Sequence, residues 1–462
     1  MQEFDLIVIG AGPGGYVAAI KAAQFGMSVA VIEQNEIGGT CLNRGCIPTK
    51  SLLYSAHLYN EIKNCGQYGV TVEGLSYDMG SVYKRKDEVV SQLRGGVQSL
   101  LRSNKITIIN GPAKIINAKE VCVTPGGVYN AKNILIATGA VPANLKVPGA
   151  SLPNVITSDE LLGCPGYKKI IIIGGGVIGA EFAEIYSSFG ASVTIIESMP
   201  RILPTMDREI SQSLAMVLKK RGVKIFTSAA VELIEECEGG LTCFFTQKEK
   251  GLSESADAIV VAVGRRAAVE GLFADGVEVD FKNGLVVDGR FQTNIEGVYA
   301  VGDVISGGVQ LAHVASAQAA AAVSYMAGKK PDIDLSTIPS CIYTNPEIAS
   351  VGITEEQAKE NGLSVKTGKY LMNGNGRTVI ESQGRGFIKV ISHADTGVIL
   401  GAQLMCARAT DIAAGLVYAI SNKLQVGQLA SAIHPHPTFC EGVLESVEDI
   451  FGTAAHMPPK RF

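Results

Sequence analysis

Two cysteines, Cys41 and Cys46, lie five residues apart in the segment GGTCLNRGCIPTK (residues 38–50) and could form a redox-active disulfide. A regular helix would hold Cα atoms five residues apart at about 8.7 Å, whereas a disulfide requires roughly 4.4–6.8 Å. The chain must therefore bend between them, and Gly45 and Pro48 favour such a bend. A helix that begins near Cys46 would lower the pKa of that thiol. The pair therefore predicts electron transfer through thiols.

A second group of reactive side chains lies in the segment HPHPTFCE (residues 434–441). It contains two of the six histidines, His434 and His436, and ends in an acid, Glu441. By itself this pattern favours a rigid proline loop with solvated histidines, but beside a redox-active cysteine pair it provides a general base with a carboxylate partner. Zinc is disfavoured, because Cys440 and the two histidines have no second Cys/His pair to complete a tetrahedral site.

A glycine-rich segment precedes the cysteines. An apolar run over residues 5–9 ends in the pattern G-x-G-x-x-G, formed by Gly10, Gly12 and Gly15, and a helix-compatible stretch follows. The next apolar strand ends in Glu33, 23 residues after Gly10. In dinucleotide-binding folds such glycines let the backbone approach a pyrophosphate, and the acid bonds an adenosine ribose. The segment therefore predicts a β-α-β unit that binds a dinucleotide.

The same unit recurs in the middle of the chain. An apolar run over residues 169–173 leads into Gly174, Gly176 and Gly179, and Glu197 again lies 23 residues after the first glycine. Two units imply two nucleotides, and an electron-transfer enzyme can combine a bound flavin with an exchangeable nicotinamide. The acid at the end of the second strand favours NAD, because it bonds a free 2′-hydroxyl and would repel the 2′-phosphate of NADP.

The composition fits a large α/β protein and argues against several kinds of partner. The chain has 462 residues, 47% of them hydrophobic, and 53 glycines, which is enough for two to four domains. Its net charge is only −4 and no long basic run is present, so nucleic acid is not an expected partner. No run of eighteen apolar residues occurs, so we expect no membrane partner.

The expected location is cytoplasmic. An apolar strand pattern begins at Asp5 and leaves no room for the basic and apolar regions of a signal peptide. The ten cysteines are scattered and fit reduced thiols better than a secreted disulfide framework.

Taken together, these motifs resemble those of the flavin-dependent pyridine nucleotide-disulfide oxidoreductases over essentially the whole chain. The resemblance rests on six segments in the order and approximate spacing of that family, namely residues 10–15, 38–50, 174–181, 302–303, 344–352 and 436–441. It implies an α/β fold with two dinucleotide-binding (Rossmann-like) domains and a C-terminal α+β dimerisation domain.

The implied domain organisation has four parts. The resemblance places an FAD-binding domain at residues 1–147, an NAD-binding domain at 148–267, a central domain that completes the FAD site at 268–338, and an interface or dimerisation domain at 339–462. Turn-forming segments at residues 147–149 and 163–166 are interpreted as loops at the first boundary.

The resemblance also assigns cofactor contacts. Those to FAD are implied for Gly10, Gly12, Gly14, Gly15, Glu33, Gly39, Thr40, Cys41, Lys50, Ala113, Thr138, Gly139, Asp303, Gln310, Leu311, Ala312 and His313. Those to NAD are implied for Gly174, Gly175, Gly176, Val177, Ile178, Gly179, Glu181, Glu197, Val231 and Gly264. No metal is expected. Lys50 and Glu181 are implied to lie together beside the flavin, where their opposite charges would fix each other's ionisation.

Catalytic roles follow from the same resemblance. Cys46 is implied to lie nearer the flavin and to form a charge-transfer thiolate, while Cys41 exchanges with substrate. His436, oriented by Glu441, is implied to be the general base that removes the proton of the substrate thiol. In the family this histidine comes from the other subunit, which implies a homodimer.

The implied activity is oxidation of a protein-bound dihydrolipoyl dithiol to the disulfide, with reduction of NAD to NADH. The partner would be the lipoyl-carrying protein of a 2-oxoacid dehydrogenase, an acetoin dehydrogenase or a glycine cleavage system. One alternative is another disulfide reductase of the family, similar to glutathione reductase, although Glu197 argues against NADP. Mercuric reductase is less favoured because residues 456–462 contain no cysteine pair. A catalytically silent flavoprotein that serves as a docking subunit is the remaining alternative.

Overall fold

The architecture is that of a computed structural model, which describes residues 3–164 and 166–459. Pro165 in the predicted boundary loop lies outside the described residues, as do residues 1, 2 and 460–462 at the ends of the first and last predicted domains. Among the described residues, no helix is both long and apolar enough to cross a membrane.

The first nucleotide unit is a twisted sheet whose central strands are parallel. Its elements are β1 (Glu3–Ile9), α1 (Pro13–Gln24), β2 (Val29–Glu33), α2 (Gly39–Arg44), α3 (Cys46–Lys63), a 3₁₀ turn (Cys65–Tyr68), α4 (Met79–Ser103), β3 (Thr107–Asn110), β4 (Ala113–Asn117), β5 (Glu120–Val123), β6 (Gly127–Ile136) and β7 (Ala140–Pro142). The strand order is β3-β2-β1-β6-β5-β4, with β3, β2, β1 and β6 parallel. Strand β2 is apolar up to its final acid because both faces of the sheet are covered.

The second unit repeats this plan. Its elements are β8 (Val155–Thr157), α5 (Ser158–Leu161), β9 (Lys169–Ile173), α6 (Val177–Ser188), β10 (Ser192–Ile196), α7 (Arg208–Lys220), β11 (Lys224–Phe226), β12 (Ala229–Cys237), β13 (Gly240–Gln247), β14 (Lys250–Ala256), β15 (Ala258–Val261) and β16 (Arg265–Ala267). The parallel sheet has the order β11-β10-β9-β15-β8, and β12, β13 and β14 form an antiparallel meander. Strands β7 and β16 pair as a two-stranded antiparallel ribbon where the chain enters and leaves this unit.

The chain then returns to the first sheet. Strand β17 (Val298–Ala300) pairs in parallel with the end of β6, and a 3₁₀ turn (Gly302–Val304) leads to α8 (Ala312–Met326). Helix α8 is rich in alanine and packs closely on α1, since a Cβ added to Gly14 would lie 3.6 Å from Cβ of Ala315. This segment completes the wall of the first unit.

The C-terminal region is a mixed α+β layer. Its elements are β18 (Ser340–Ile342), β19 (Glu347–Gly352), α9 (Glu355–Glu360), β20 (Val365–Leu371), a 3₁₀ turn (Met372–Gly374), α10 (Gly376–Ile380), β21 (Phe387–His393), β22 (Ile399–Cys406), α11 (Ala409–Ser421), α12 (Val426–Ala430) and α13 (Glu441–Phe451). The sheet is antiparallel in the order β18-β19-β22-β21-β20. Leu404, Leu416 and Val447 belong to one buried cluster that joins this sheet to α11 and α13.

The predicted fold class is confirmed, with two dinucleotide units and a C-terminal α+β region. The four domain boundaries stay a prediction. The periodicity around Gly10 and Gly174 located both β-α-β units. The 25-residue helix α4 was not predicted; its C-terminal half packs on the first unit, whereas Tyr83 and Lys86 nearer its start bond to residues of the second.

Candidate active site

A cavity of about 1550 Å³ extends between the two nucleotide units. It is lined by both cysteines and by most of the predicted cofactor residues. On the side of the first unit these are Gly10, Gly12, Gly14, Glu33, Gly39, Thr40, Cys41, Cys46, Lys50, Ala113, Thr138, Gly139, Asp303, Gln310, Leu311, Ala312 and His313. On the side of the second they are Gly174, Gly176, Val177, Ile178, Glu181, Glu197, Val231 and Gly264. One continuous space therefore joins the two predicted nucleotide sites to the thiols.

Three predicted contact glycines do not line this cavity. A Cβ on Gly15 would lie 1.8 Å from the carbonyl oxygen of Gly10, and one on Gly179 would lie 2.0 Å from that of Gly174. A Cβ on Gly175 would lie 2.8 Å from the side chain of Ile202. In this structure the first two allow a helix to pack against the preceding turn, and Gly175 makes room for a neighbouring side chain.

Two glycines from different loops bring the backbone of α1 and α2 together. Gly39 has φ +59°, and a Cβ there would lie 2.6 Å from Cα of Gly12. Both residues line the cavity at helix N-termini, where backbone N–H groups and the helix dipole favour a pyrophosphate. The absence of side chains at this contact provides the close backbone approach that the sequence predicts.

Gly39→Ala is expected to weaken flavin binding by about 5- to 140-fold, because left-handed strain and the clash with Gly12 together cost about 1–3 kcal/mol. The measurement is the ratio of flavin to protein absorbance after purification and dialysis. Gly96→Ala in α4 is the matched control, since a Cβ there meets no atom within 4 Å. A Gly39→Ala protein that keeps a full complement of flavin would contradict this account of the loop.

The acids at the strand ends organise the glycine loops. Glu33 accepts hydrogen bonds from the backbone N of Ala11 at 2.7 Å and of Asn35 at 2.8 Å. Glu197 does the same for Gly175 and Met199, each at 2.6 Å. Both oxygens of Glu33 and Oε2 of Glu197 retain a further lone pair for a ribose hydroxyl, whereas Oε1 of Glu197 also accepts from the hydroxyl of Ser198 at 3.2 Å. The sequence predicts only the ribose contact.

The two cysteines lie at a break between helices. Helix α2 ends at Arg44, Gly45 has the non-helical angles φ −148° and ψ −112°, and α3 begins at Cys46. Both cysteines are free thiols in this structure. The predicted bend and the predicted helix start at Cys46 are therefore both present.

The environment makes the two thiols unequal. The hydrogen bond from the Cys41 thiol lowers the pKa of Cys46 to about 7 against the opposing effect of burial, and the Lys50 ammonium acts in the same direction as that bond. The same hydrogen bond, with burial, raises the pKa of Cys41. In the dithiol state Cys46 therefore carries the negative charge and Cys41 the proton.

A buried ion pair lies beside Cys46. Lys50 Nζ donates to both carboxylate oxygens of Glu181, at 2.8 and 2.9 Å, and Glu181 is almost fully buried. The same carboxylate accepts a hydrogen bond from the backbone N of Tyr343 at 3.0 Å. The ring of Tyr343 lies 4.7 Å from Lys50 Nζ, a cation–π distance. The structure thus brings Lys50 and Glu181 together as predicted and adds Tyr343.

The lining fits FAD on the side of the first unit. The buried hydroxyl of Thr138 has no hydrogen-bond partner among the described residues, so it is available to a ligand. Asp303 lines the cavity, and burial raises its pKa although Arg265 opposes this. A polyhydroxyl chain and a ring carbonyl are suitable partners for such groups.

The lining also fits NAD on the side of the second unit. A Cβ on Gly176 or on Gly264 would meet no atom within 4 Å, so the backbone at both positions faces open space. Gly176 precedes α6 as its N-cap, where a pyrophosphate is favoured.

His436 and Glu441 form the predicted pair but lie away from the cavity. Nδ1 of His436 is 2.7 Å from a carboxylate oxygen of Glu441, whose other oxygen accepts from the backbone N of Thr438. Burial raises the pKa of Glu441, but these hydrogen bonds outweigh it and the net shift is downward. An ionised carboxylate only accepts, so Nδ1 carries the proton and Nε2 is free to act as a base. Neither residue lines the cavity of its own chain.

Three site residues were not identified from the sequence. Tyr343 lies just before a recognised segment, and only its contact with Lys50 reveals its place. Arg265 donates to Asp159 and to the carbonyl oxygen of Ala140, both at 2.9 Å, beside the cavity. Gln318 accepts a hydrogen bond from the backbone N of Gly302 and gives no signal inside an alanine-rich helix.

Known proteins resemble the chain over nearly its full length. Residues 4–319 match the family described as pyridine nucleotide-disulphide oxidoreductase, and residues 338–447 match the dimerisation domain of that family. A dihydrolipoyl dehydrogenase from Zymomonas mobilis is 39% identical over 98% of this chain and 99% of its own. One from Bacillus subtilis is also 39% identical over the same shares.

A solved structure agrees with these sequence matches. The HOCl-induced flavoprotein disulfide reductase RclA from Escherichia coli superposes with a TM-score of 0.86 and is 30% identical, covering 96% of this chain and 99% of that one. The profile match covers well over half of the chain, and the fold, the thiol pair and both glycine loops agree with it. The predicted family is therefore confirmed: the chain belongs to the pyridine nucleotide-disulphide oxidoreductases.

Proposed function

We propose that this protein is a flavin-dependent dihydrolipoyl dehydrogenase. It oxidises a protein-bound dihydrolipoyl dithiol to the disulfide and reduces NAD to NADH, through a redox-active Cys41–Cys46 pair. The observation that carries the proposal is that both thiols share one cavity with both glycine loops. The curated relatives with that name and 39% identity support the choice of substrate.

The cofactors are FAD and NAD. Bound FAD supplies an acceptor for the electron pair of the dithiol, and NAD supplies the final acceptor. The first glycine loop, Glu33, Thr138 and Asp303 would hold FAD, and the second glycine loop with Glu197 would hold NAD. Lys50 and Glu181 form an ion pair that lines the cavity between the two loops.

The thiol steps follow from the unequal cysteines. A substrate thiol transfers its proton to Nε2 of His436, and the resulting thiolate attacks Sγ of Cys41 in the oxidised pair. The Cys41–Cys46 bond breaks and Cys46 leaves as a thiolate. The second substrate thiol then attacks the mixed disulfide, forming the substrate disulfide, while its proton passes to Cys41. The thiolate on Cys46 and the proton on Cys41 match the pKa values that the structure gives these residues.

A homodimer would supply the base. His436 has a side chain 77% exposed in the single chain, and it does not line the cavity that holds Cys41. The match to the dimerisation domain over residues 338–447 supports an arrangement in which the second subunit covers this face. The proposed partner is a lipoyl-carrying protein of a 2-oxoacid dehydrogenase, an acetoin dehydrogenase or a glycine cleavage system, and the proposed location is the cytoplasm.

A substrate panel tests the function. Purified holoenzyme is assayed with dihydrolipoamide, and separately with oxidised glutathione, using each form of the nicotinamide cofactor. We expect dihydrolipoamide-dependent NADH formation with a preference for NAD, because Glu197 lines the second nucleotide site. Reduction of glutathione disulfide by NADPH would instead support a glutathione-reductase-like enzyme. Absence of any dithiol-dependent turnover would support a catalytically silent docking subunit.

A further inference from the structure

Two acids on α6, one helical turn apart, hold the same short segment of the C-terminal region. Glu181 accepts a hydrogen bond from the backbone N of Tyr343 at 3.0 Å. The backbone N–H of Asn345 lies near the carboxylate of Glu184 and lowers its pKa. Residues three apart on a helix share a face, so both carboxylates are directed at this segment.

Arg221 contacts both Glu184 and Asn345. Its guanidinium forms an ion pair with Glu184 and donates to the carbonyl oxygen of Asn345 at 2.9 Å. The carbonyl oxygen of Asn345 is therefore bonded to one member of the ion pair, and its backbone N–H lies near the other. Glu184 is completely buried, and nothing in the thiol chemistry described above uses it.

His57 on the neighbouring helix α3 does not provide a second positive charge for the carboxylate of Glu184. His57 on α3 places Nε2 3.8 Å from the carboxylate of Glu184, too far for a hydrogen bond. Burial, assisted by the charge of Arg221, lowers the pKa of His57 to about 4, so it is neutral at pH 7. Burial also raises the pKa of Glu184. Arg221 opposes this effect of burial on the pKa of Glu184.

The segment held at Asn345 reaches the reactive thiol through Tyr343. Two residues earlier in the chain, Tyr343 donates its backbone N–H to Glu181 and places its ring against Lys50. Lys50 in turn is bonded to Glu181 and acts on Cys46 by its charge. A continuous set of contacts therefore connects Glu184 to Cys46.

We infer that Glu184 and Arg221 are positioning residues for the thiol reaction, which fix Asn345 so that Tyr343 and Glu181 hold the Lys50 ammonium beside Cys46. The Lys50 side chain is a flexible four-carbon stem, and 30% of it is exposed to the cavity. Without the hold at Asn345 the ammonium moves through a larger volume and stabilises the thiolate less. The inference deepens the proposed function, but its test does not need the lipoyl substrate.

The test is the pH dependence of Cys46 alkylation. Reduced holoenzyme is treated with iodoacetamide at a series of pH values, and modification of Cys46 is followed by peptide mass spectrometry. In the unmodified sequence the midpoint is expected at about 7. In Glu184→Gln it is expected to rise by about half a pH unit, which lowers the thiolate fraction at pH 7 about twofold.

A double-mutant cycle separates positioning from a general structural effect. If Glu184 acts through Lys50, then Glu184→Gln changes the midpoint in the natural background and produces no further change in a Lys50→Met background. Equal shifts in both backgrounds would overturn the inference, and so would an unchanged midpoint in a folded Glu184→Gln protein. Glu254→Gln is the matched control, because it breaks a 2.8 Å ion pair with Lys224 in the same nucleotide unit.

A second variant covers the case in which Glu184→Gln fails to fold. Removing one member of a buried ion pair leaves an unpaired charge, whereas Glu184→Gln combined with Arg221→Gln leaves none. The double variant is expected to show the same upward shift of the Cys46 midpoint, and an unchanged midpoint there would overturn the inference. If the shift occurs but no protein oxidises dihydrolipoamide, the proposed substrate is wrong while the positioning role stands.

Discussion

Replacement of Cys46 by serine is expected to abolish dithiol-dependent NADH formation, with a loss of at least about 10⁴-fold in kcat/KM. A serine hydroxyl cannot form a disulfide with Cys41, so the substrate dithiol has no sulfur–sulfur bond to reduce. The remaining parts of the cavity are unchanged, so flavin content and the oxidation of NADH by an artificial electron acceptor should both persist. These two measurements show that the variant is folded and contains its flavin.

The absorbance spectrum gives a more specific result than the rate. Anaerobic addition of dihydrolipoamide to the natural protein should produce a long-wavelength band that requires the Cys46 thiolate, whose pKa is lowered to about 7. Cys46→Ser should show no such band, and a variant that kept it would contradict the assignment of Cys46. Cys237→Ser is the control, since Cys237 is an exposed free thiol outside the cavity.

Replacement of His436 by glutamine is expected to lower dithiol-dependent NADH formation by about 10²–10⁴-fold, which is the range for loss of a general base. The residual rate should increase with pH, because the substrate thiol then ionises without help. Glu441→Gln should cause a smaller loss, since the imidazole remains but loses its orienting partner at 2.7 Å. Oxidation of NADH by an artificial acceptor should be normal in both variants.

His434→Gln is the matched control for the base. His434 lies two residues away, and its Nδ1 is 3.0 Å from the carbonyl oxygen of Ala432, so it lacks the carboxylate that orients His436. A loss in His434→Gln as large as that in His436→Gln would show that the wrong histidine was chosen.

Mixed dimers test whether His436 of one subunit acts at the thiol pair of the other subunit. Subunits with Cys46→Ser and subunits with His436→Gln are each expected to have at most about one hundredth of the natural activity alone. In a dimer of one of each, one site combines an intact thiol pair with an intact His436, so activity should reappear. If the base acted within its own chain, the mixture would stay inactive, because each chain would lack one group.

The sequence was sufficient to predict the local parts of the site. Glycine spacing located both β-α-β units, because Gly10 and Gly174 each combine a positive φ with a close backbone approach that a Cβ would block. Gly45 and Pro48 predicted the break in the helix that places Cys46 at the start of α3. These features depend on residues close together in the chain, so the types of those residues are sufficient to predict the local backbone conformation.

The contacts that set the properties of the thiols were not predictable in this way. The pairing of Glu184 with Arg221 joins residues 37 positions apart, and the contact of Tyr343 with Lys50 spans nearly 300 residues. An acid on a helix is usually solvated, so neither Glu184 nor its burial is distinguished by its neighbours in sequence. The burial that raises the pKa of each thiol likewise depends on the packing of distant segments.

The ribbon formed by β7 and β16 has a consequence for how the chain is assembled. Ala140 lies opposite Ala267 in this ribbon, although 126 residues intervene between them. The entire second nucleotide unit is therefore an insertion within the first, and its two ends lie side by side. An insertion of this kind could be replaced by one that prefers a different nicotinamide, provided that the replacement keeps an acid to pair with Lys50.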